Sequence, residues 1–156
     1  MNDKVMYSQA REVAEPELCS ALKRAGMEDV RQGGKLDDVN HIDVFASKNG
    51  IQWTFDVKDL SPSYAGKSSN YNMSETFLAD VKKDGEKYKH HMIACRLYGR
   101  DGKPLGKFAC FKTTDVVEKG LVKKMKRRDN SKEFWLFNAE EAMATLANGK
   151  QWKVLQ

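Results

Sequence analysis

The stretch HIDVFASKNGIQWTFDVK, residues 41–58, holds two alternating runs on either side of Asn49-Gly50. Asn-Gly tolerates the positive φ that both central positions of a two-residue type I′ turn require, so it predicts a hairpin of two antiparallel strands. So short a turn also fixes the register. Lys48 then faces Ile51, Phe45 faces Thr54, Asp43 faces Asp56 and His41 faces Lys58. Strand alternation sends Ile42, Val44, Ala46, Trp53, Phe55 and Val57 to one apolar face, which belongs to the core. The other face displays Asp43, Asp56 and Lys58, with His41 on the same side.

Opposed side chains in an antiparallel pair have Cβ atoms ~4.5–5.5 Å apart, where like charges repel. Two carboxylates so placed raise one pKa, find a basic neighbour or hold a divalent cation. Hard cations such as Mg2+ take oxygen ligands, often one or two carboxylates and several waters. Lys58, two residues from Asp56 on the same face, is placed to orient or deprotonate a water beside such an ion. The competing reading is a wet sheet face on which Lys58 merely neutralises two acids. His41 is a candidate for a supporting role beside the ion.

Working outward, EPELCSALKRAG (Glu15 to Gly26) repeats Leu18, Ala21, Leu22 and Ala25 at helical spacing, with Pro16 in the first turn and Gly26 closing it. An extended piece at Asp29–Gln32 ends at Gly33-Gly34. After the hairpin, SPSYAGKSSNYNMS (Ser61 to Ser74) reads as a mobile loop, and a helix from about Glu75 to Lys87 starts at the N-cap Ser74. HHMIACRLY and KFACFKT read as strands joined by RDGKPLG, EFWLF as a short strand, and AEEAMATLA as a closing helix started by Asn138. The order predicts an α/β (α+β) domain on a mixed sheet with flanking helices.

Asp43 followed by Asp56-Val57-Lys58, on consecutive strands after a helix, resembles the PD-(D/E)XK nuclease superfamily with its restriction-endonuclease-like core. The order α-β-β-β-α-β, from about residue 15 to residue 98, matches that core. The segment beginning at Glu15 and the Asp43-to-Asp56-x-Lys58 spacing are similar to archaeal Holliday-junction resolvases. Ile42 replaces the proline of the motif, and Asp56 stands where Glu is commoner. The resemblance implies a divalent-metal-dependent endonuclease that hydrolyses phosphodiester bonds, with DNA favoured over RNA. It implies that Asp43, Asp56 and the Val57 main-chain carbonyl hold Mg2+ or Mn2+, and that Lys58 positions the attacking water. It also implies that Glu15 assists through the metal or its waters, with Glu12 and Glu17 as rivals. Such small nucleases often act as homodimers.

The whole chain has 156 residues and 17.8 kDa, one domain's length. With 40% hydrophobic and 31% charged residues it is not a disordered chain. It has no run of ~18–20 apolar residues for a membrane span, and its start lacks the apolar stretch of a secretory signal. Cys19, Cys95 and Cys110 are odd in number and widely spaced, which predicts reduced thiols in a cytoplasmic protein. Adjacent strand residues His90 and His91 point apart and make no zinc pair, GGKLDD lacks the P-loop signature, and Asp37 and Asp38 read as loop acids.

The net charge is +5, yet residues 119–132 alone carry Lys119, Lys123, Lys124, Lys126, Arg127, Arg128 and Lys132 against Asp129. This segment is either a solvated loop or helix face or a phosphate-backbone contact, with Lys123, Lys124, Lys126, Arg127 and Arg128 as its densest part. Most aromatics fall in core patterns. Tyr64 and Tyr71, in the Ser/Asn-rich loop, are candidates to stack on a base. The runner-up function is a non-catalytic nucleic-acid-binding or inhibitory module.

Overall fold

In the computed structural model the described residues are 13–33, 42–59, 70–146 and 152–155. Helix α1 (Glu15–Arg24) leads into β1 (Glu28–Gln32), then β2 (Val44–Lys48) and β3 (Ile51–Lys58) form the hairpin. Asn49 and Gly50 take φ of 53° and 77°, as the turn requires, and Val44↔Phe55 through Lys48↔Ile51 pair in the expected register. Then follow β4 (Asn70–Met73), α2 (Glu75–Lys83), β5 (His91–Tyr98), β6 (Pro104–Lys112) and α3 (Thr113–Glu118). The chain continues with β7 (Val122–Lys126), β8 (Glu133–Asn138), α4 (Ala139–Leu146) and β9 (Trp152–Leu155).

The central sheet has the order β1-β2-β3-β5-β6-β9, in which β3 and β5 run parallel and the other neighbours antiparallel. The protein is thus mixed α+β with a mixed central sheet and flanking helices. A second sheet, β4-β8-β7, is antiparallel throughout. Each face of the central sheet has its own core. On one, Leu18 and Leu22 of α1 pack on Val44, Ala46, Phe55, Val57, Met92 and Phe108. On the other, Ile93, Cys95, Ala109 and Phe111 meet Phe77, Leu78 and Val81 of α2, together with Tyr71, Phe137 and Leu146.

Several elements depart from expectation. The Ser/Asn-rich stretch ends in a strand, β4, and the basic segment holds the strand β7 where a loop or helix face was expected. Helix α2 stops at Lys83, and α3 and β9 carry no strong local signal. Both expected caps form: Ser74 Oγ accepts from Phe77 N at 3.3 Å, and Asn138 Oδ1 from Glu141 N at 2.8 Å. Cys19, Cys95 and Cys110 are buried thiols, and among the described residues no helix is long and apolar enough to cross a membrane.

Candidate active site

The site grows from the open end of the hairpin. Strand β3 outruns β2 here: Val44 is the first β2 residue and pairs with Phe55, while Asp56, Val57 and Lys58 pair with Ile93, Ala94 and Cys95 of β5. On the β2 side the Val57 amide therefore lies beyond the ladder. Asp43 supplies its acceptor, with Oδ2 2.5 Å from Val57 N. The main-chain N of Asp43 donates to the Phe55 carbonyl at 2.8 Å, the residue Val44 already faces. Two residues thus meet one at the strand end, as in a β-bulge. Asp43 consequently does not continue the regular cross-strand pairing with Asp56.

Asp43 is anchored from its other flank as well. Its carbonyl accepts from Gly33 N at 2.7 Å. A Cβ on Gly33 would lie 2.2 Å from the Ile42 carbonyl oxygen, so only glycine permits this approach.

Strand alternation carries Asp56 and Lys58 to the face opposite Phe55 and Val57. Asp43 and Asp56 are 6% and 5% exposed. Lys58 Nζ lies 3.3 Å from Asp56 Oδ2, a buried oxygen that accepts no hydrogen bond. Burial opposes the charge on Lys58, but Asp56 and then Asp43 outweigh it and hold the ammonium above the ordinary lysine value. In that state Lys58 donates protons in hydrogen bonds and has no lone pair to act as a base. The hairpin therefore brings Asp43, Asp56, Val57 and Lys58 together.

Glu15 is placed differently. It is buried in the first turn of α1, where Oε1 accepts from Gln32 Nε2 at 3.1 Å. Among the described residues no three His, Cys, Asp or Glu side chains gather in a metal-holding group. Glu15 Oε1 is tied to Gln32 of β1. Its rival Glu17 is engaged by Arg96. Glu12, His41, Asp37, Asp38 and Tyr64 lie outside the described residues.

Sequence reading missed the ion network beside the site. Arg96, buried in β5, reaches Glu17 Oε2 at 2.6 Å and Asp59 Oδ2 at 3.3 Å, and donates to Tyr98 Oη at 3.2 Å. Tyr98 in turn donates to Asp59, and burial with that hydrogen bond pushes the Tyr98 phenol up to about 12. This network ties α1, the residue after Lys58 and β5 together. The available signal was Arg96 itself, a lone cation within the apolar strand HMIACRLY.

Strand β7 and strand β8 form the basic hairpin. Lys123 pairs with Glu141 at 3.0 Å and Lys124 with Glu133 at 2.6 Å, acids supplied by β8 and α4. Among the described residues no carboxylate comes within ion-pair distance of Lys126, Arg127 or Arg128. Tyr71 is a correction: it is 5% exposed and its hydroxyl donates to the Arg96 carbonyl at 3.1 Å, so it is a core residue and offers no ring to a base. His90 and His91 do diverge. His90 packs on Trp53 at 4.8 Å between ring centres, while His91 lies 5.6 Å from Phe77 on the other side and meets Thr113 Oγ1 at 2.6 Å.

No family model matches the chain, and no curated protein matches it.

Proposed function

We propose that this protein is a divalent-metal-dependent nuclease with a restriction-endonuclease-like core, hydrolysing phosphodiester bonds of nucleic acid, DNA above RNA. The observation that carries the reading is the cluster at the hairpin's open end. There two carboxylates are each more than nine-tenths buried, Lys58 pairs with Asp56 at 3.3 Å with Asp43 as a further nearby charge, and Asp56 Oδ2 accepts no hydrogen bond. Buried charge is costly unless compensated, and the Asp56 oxygen facing Lys58 is buried with no hydrogen bond. A hard divalent cation fits the deficit, since oxygen donors are what it binds. The central-sheet order α1, β1, β2, β3, α2, β5, with β5 parallel to β3 and the intervening β4 diverted to the second sheet, supports the same core.

In this reading Asp43, Asp56 and the Val57 carbonyl hold Mg2+ or Mn2+. When bound, the ion lowers the pKa of a coordinated water and offsets charge on the phosphate. Val57 N fixes the orientation of the Asp43 carboxylate. Lys58 donates to the attacking water or to a phosphate oxygen. Glu15, bonded to Gln32, assists through the metal or its waters.

The test is Mn2+ calorimetry alongside incubation of plasmid, linear duplex, single strand and RNA with and without Mg2+. Wild type should bind Mn2+ and cut; Asp56→Asn should lose both, and Lys58→Met should lose cutting while keeping the metal. Wild type with no Mn2+ heat and no cleavage refutes the proposal. One observation favours the runner-up, a non-catalytic nucleic-acid-binding or inhibitory module: Asp43 already serves the fold by capping Val57. Nucleic-acid binding without metal heat identifies that case.

A further inference from the structure

The second sheet ends in a ribbon only two strands wide. Strand β4 covers β8 from Trp135 to Asn138, whereas β7 pairs with β8 out to Glu133. Beyond that cover, Met125↔Phe134 and Lys126↔Glu133 pair with each other, and the turn 127–132 caps them. The turn is internally fixed: Arg127 N donates to the Lys132 carbonyl at 2.9 Å and Ser131 N to the Arg127 carbonyl at 3.1 Å. Residues 123–133 are all exposed. The tip carries Lys126, Arg127, Arg128 and Lys132 against Asp129 and Glu133, and Glu133 is engaged by Lys124.

We propose that this tip enters the major groove of B-form DNA, with Lys126, Arg127 and Arg128 against the phosphates. The inference rests on the reading of the chain as acting on nucleic acid and names the form it takes. A two-stranded ribbon, with strands ~4.8 Å apart, fits the ~12 Å major groove of B-DNA. The major groove of A-form RNA is too narrow and deep to admit it. Single strands are gripped by open aromatic faces, and this surface offers none. The Arg127 guanidinium sits 5.9 Å over the Phe134 ring, Lys124 Nζ 5.8 Å over Trp135, and Tyr71 is buried.

The structure also divides the five cations that look equivalent in sequence. Lys123 and Lys124 are held by Glu141 and Glu133, so they release few counterions; the tip cations release theirs. Binding is measured in EDTA, where cleavage plays no part, on duplex DNA, duplex RNA and single-stranded DNA over a range of salt. Duplex DNA should bind tightest, methyl green in the major groove should compete, and distamycin in the minor groove should not. Lys126→Ala/Arg127→Ala/Arg128→Ala should make the salt slope shallower by about two to three, at ~0.9 per phosphate contact. Lys123→Ala/Lys124→Ala should change it by less than about one. Asp129→Asn, which removes an acid from the tip, should tighten duplex binding, a gain that misfolding cannot produce. Equal binding of single strands or duplex RNA, competition by distamycin alone, or an unchanged slope in the triple variant overturns this proposal and leaves the nuclease reading standing. Absence of binding to every nucleic acid overturns this proposal, while the nuclease reading is decided by its Mn2+ heat and cleavage.

Discussion

Replacing Arg96 with Met tests the ion network beside the site. The guanidinium contacts Glu17 and Asp59, whose side chains are 24% and 4% exposed. Once the cation is gone, Glu17 can turn to water from the surface of α1. Asp59 cannot, and its charge stays buried. Removing one partner of a buried ion pair costs about 3–5 kcal/mol, and the Tyr98 hydroxyl still donating to Asp59 places this case near about 3. With a urea dependence of about 2 kcal/mol per molar, the unfolding midpoint should fall by about 1.5 M. The cost lies in the stranded charge more than in lost attraction. Arg96→Met with Asp59→Asn should therefore recover most of the loss, although it deletes a second native group. The assay is urea unfolding followed by circular dichroism for wild type, the single and the double variant. A single-variant loss below about 1 kcal/mol, or a double variant weaker than the single, would refute the reasoning, since either means that Asp59 is solvated.

Two further outcomes are expected. Gly33→Ala puts a Cβ 2.2 Å from the Ile42 carbonyl oxygen and must displace the strand end that holds Asp43, so it should cost about 1–3 kcal/mol and weaken Mn2+ binding; an unchanged melting curve and Mn2+ titration would sink the claim. Tyr98 keeps its proton to about 12 in the fold, while the unfolded chain ionises near about 10. Its contribution is therefore whole below about pH 10 and is lost as pH rises through 12, at up to about 1.4 kcal/mol per pH unit. Urea midpoints of wild type should fall more steeply than those of Tyr98→Phe across that window, and parallel curves would show that Tyr98 ionises as it does in water.

Much of the molecule was legible locally. Asn49-Gly50 set the hairpin turn and its register, alternation sorted Phe55 and Val57 from Asp56 and Lys58, and Ser74 and Asn138 marked helix starts. These signals are legible because each depends on neighbours a few residues away: a turn on its φ angles, a cap on the next three amides, a face on period two. What depends on chain segments far apart was not. Asp43 looked like half of an opposed acidic pair, but β3 extends past β2, and the Asp43 carboxylate accepts from the Val57 amide left beyond the ladder. Tyr71 looked like a loop ring; pairing of β4 with β8 opposite Phe137 buries it. The lysines of β7 read as a loop or helix face because a charged edge strand has no apolar alternation of its own, and β8 supplies both its ladder and the acid for Lys124. Local sequence thus determined the hairpin and the candidate residues on it. Long-range pairing decided which of those residues meet, because burial and hydrogen-bond need are settled only when distant strands come together.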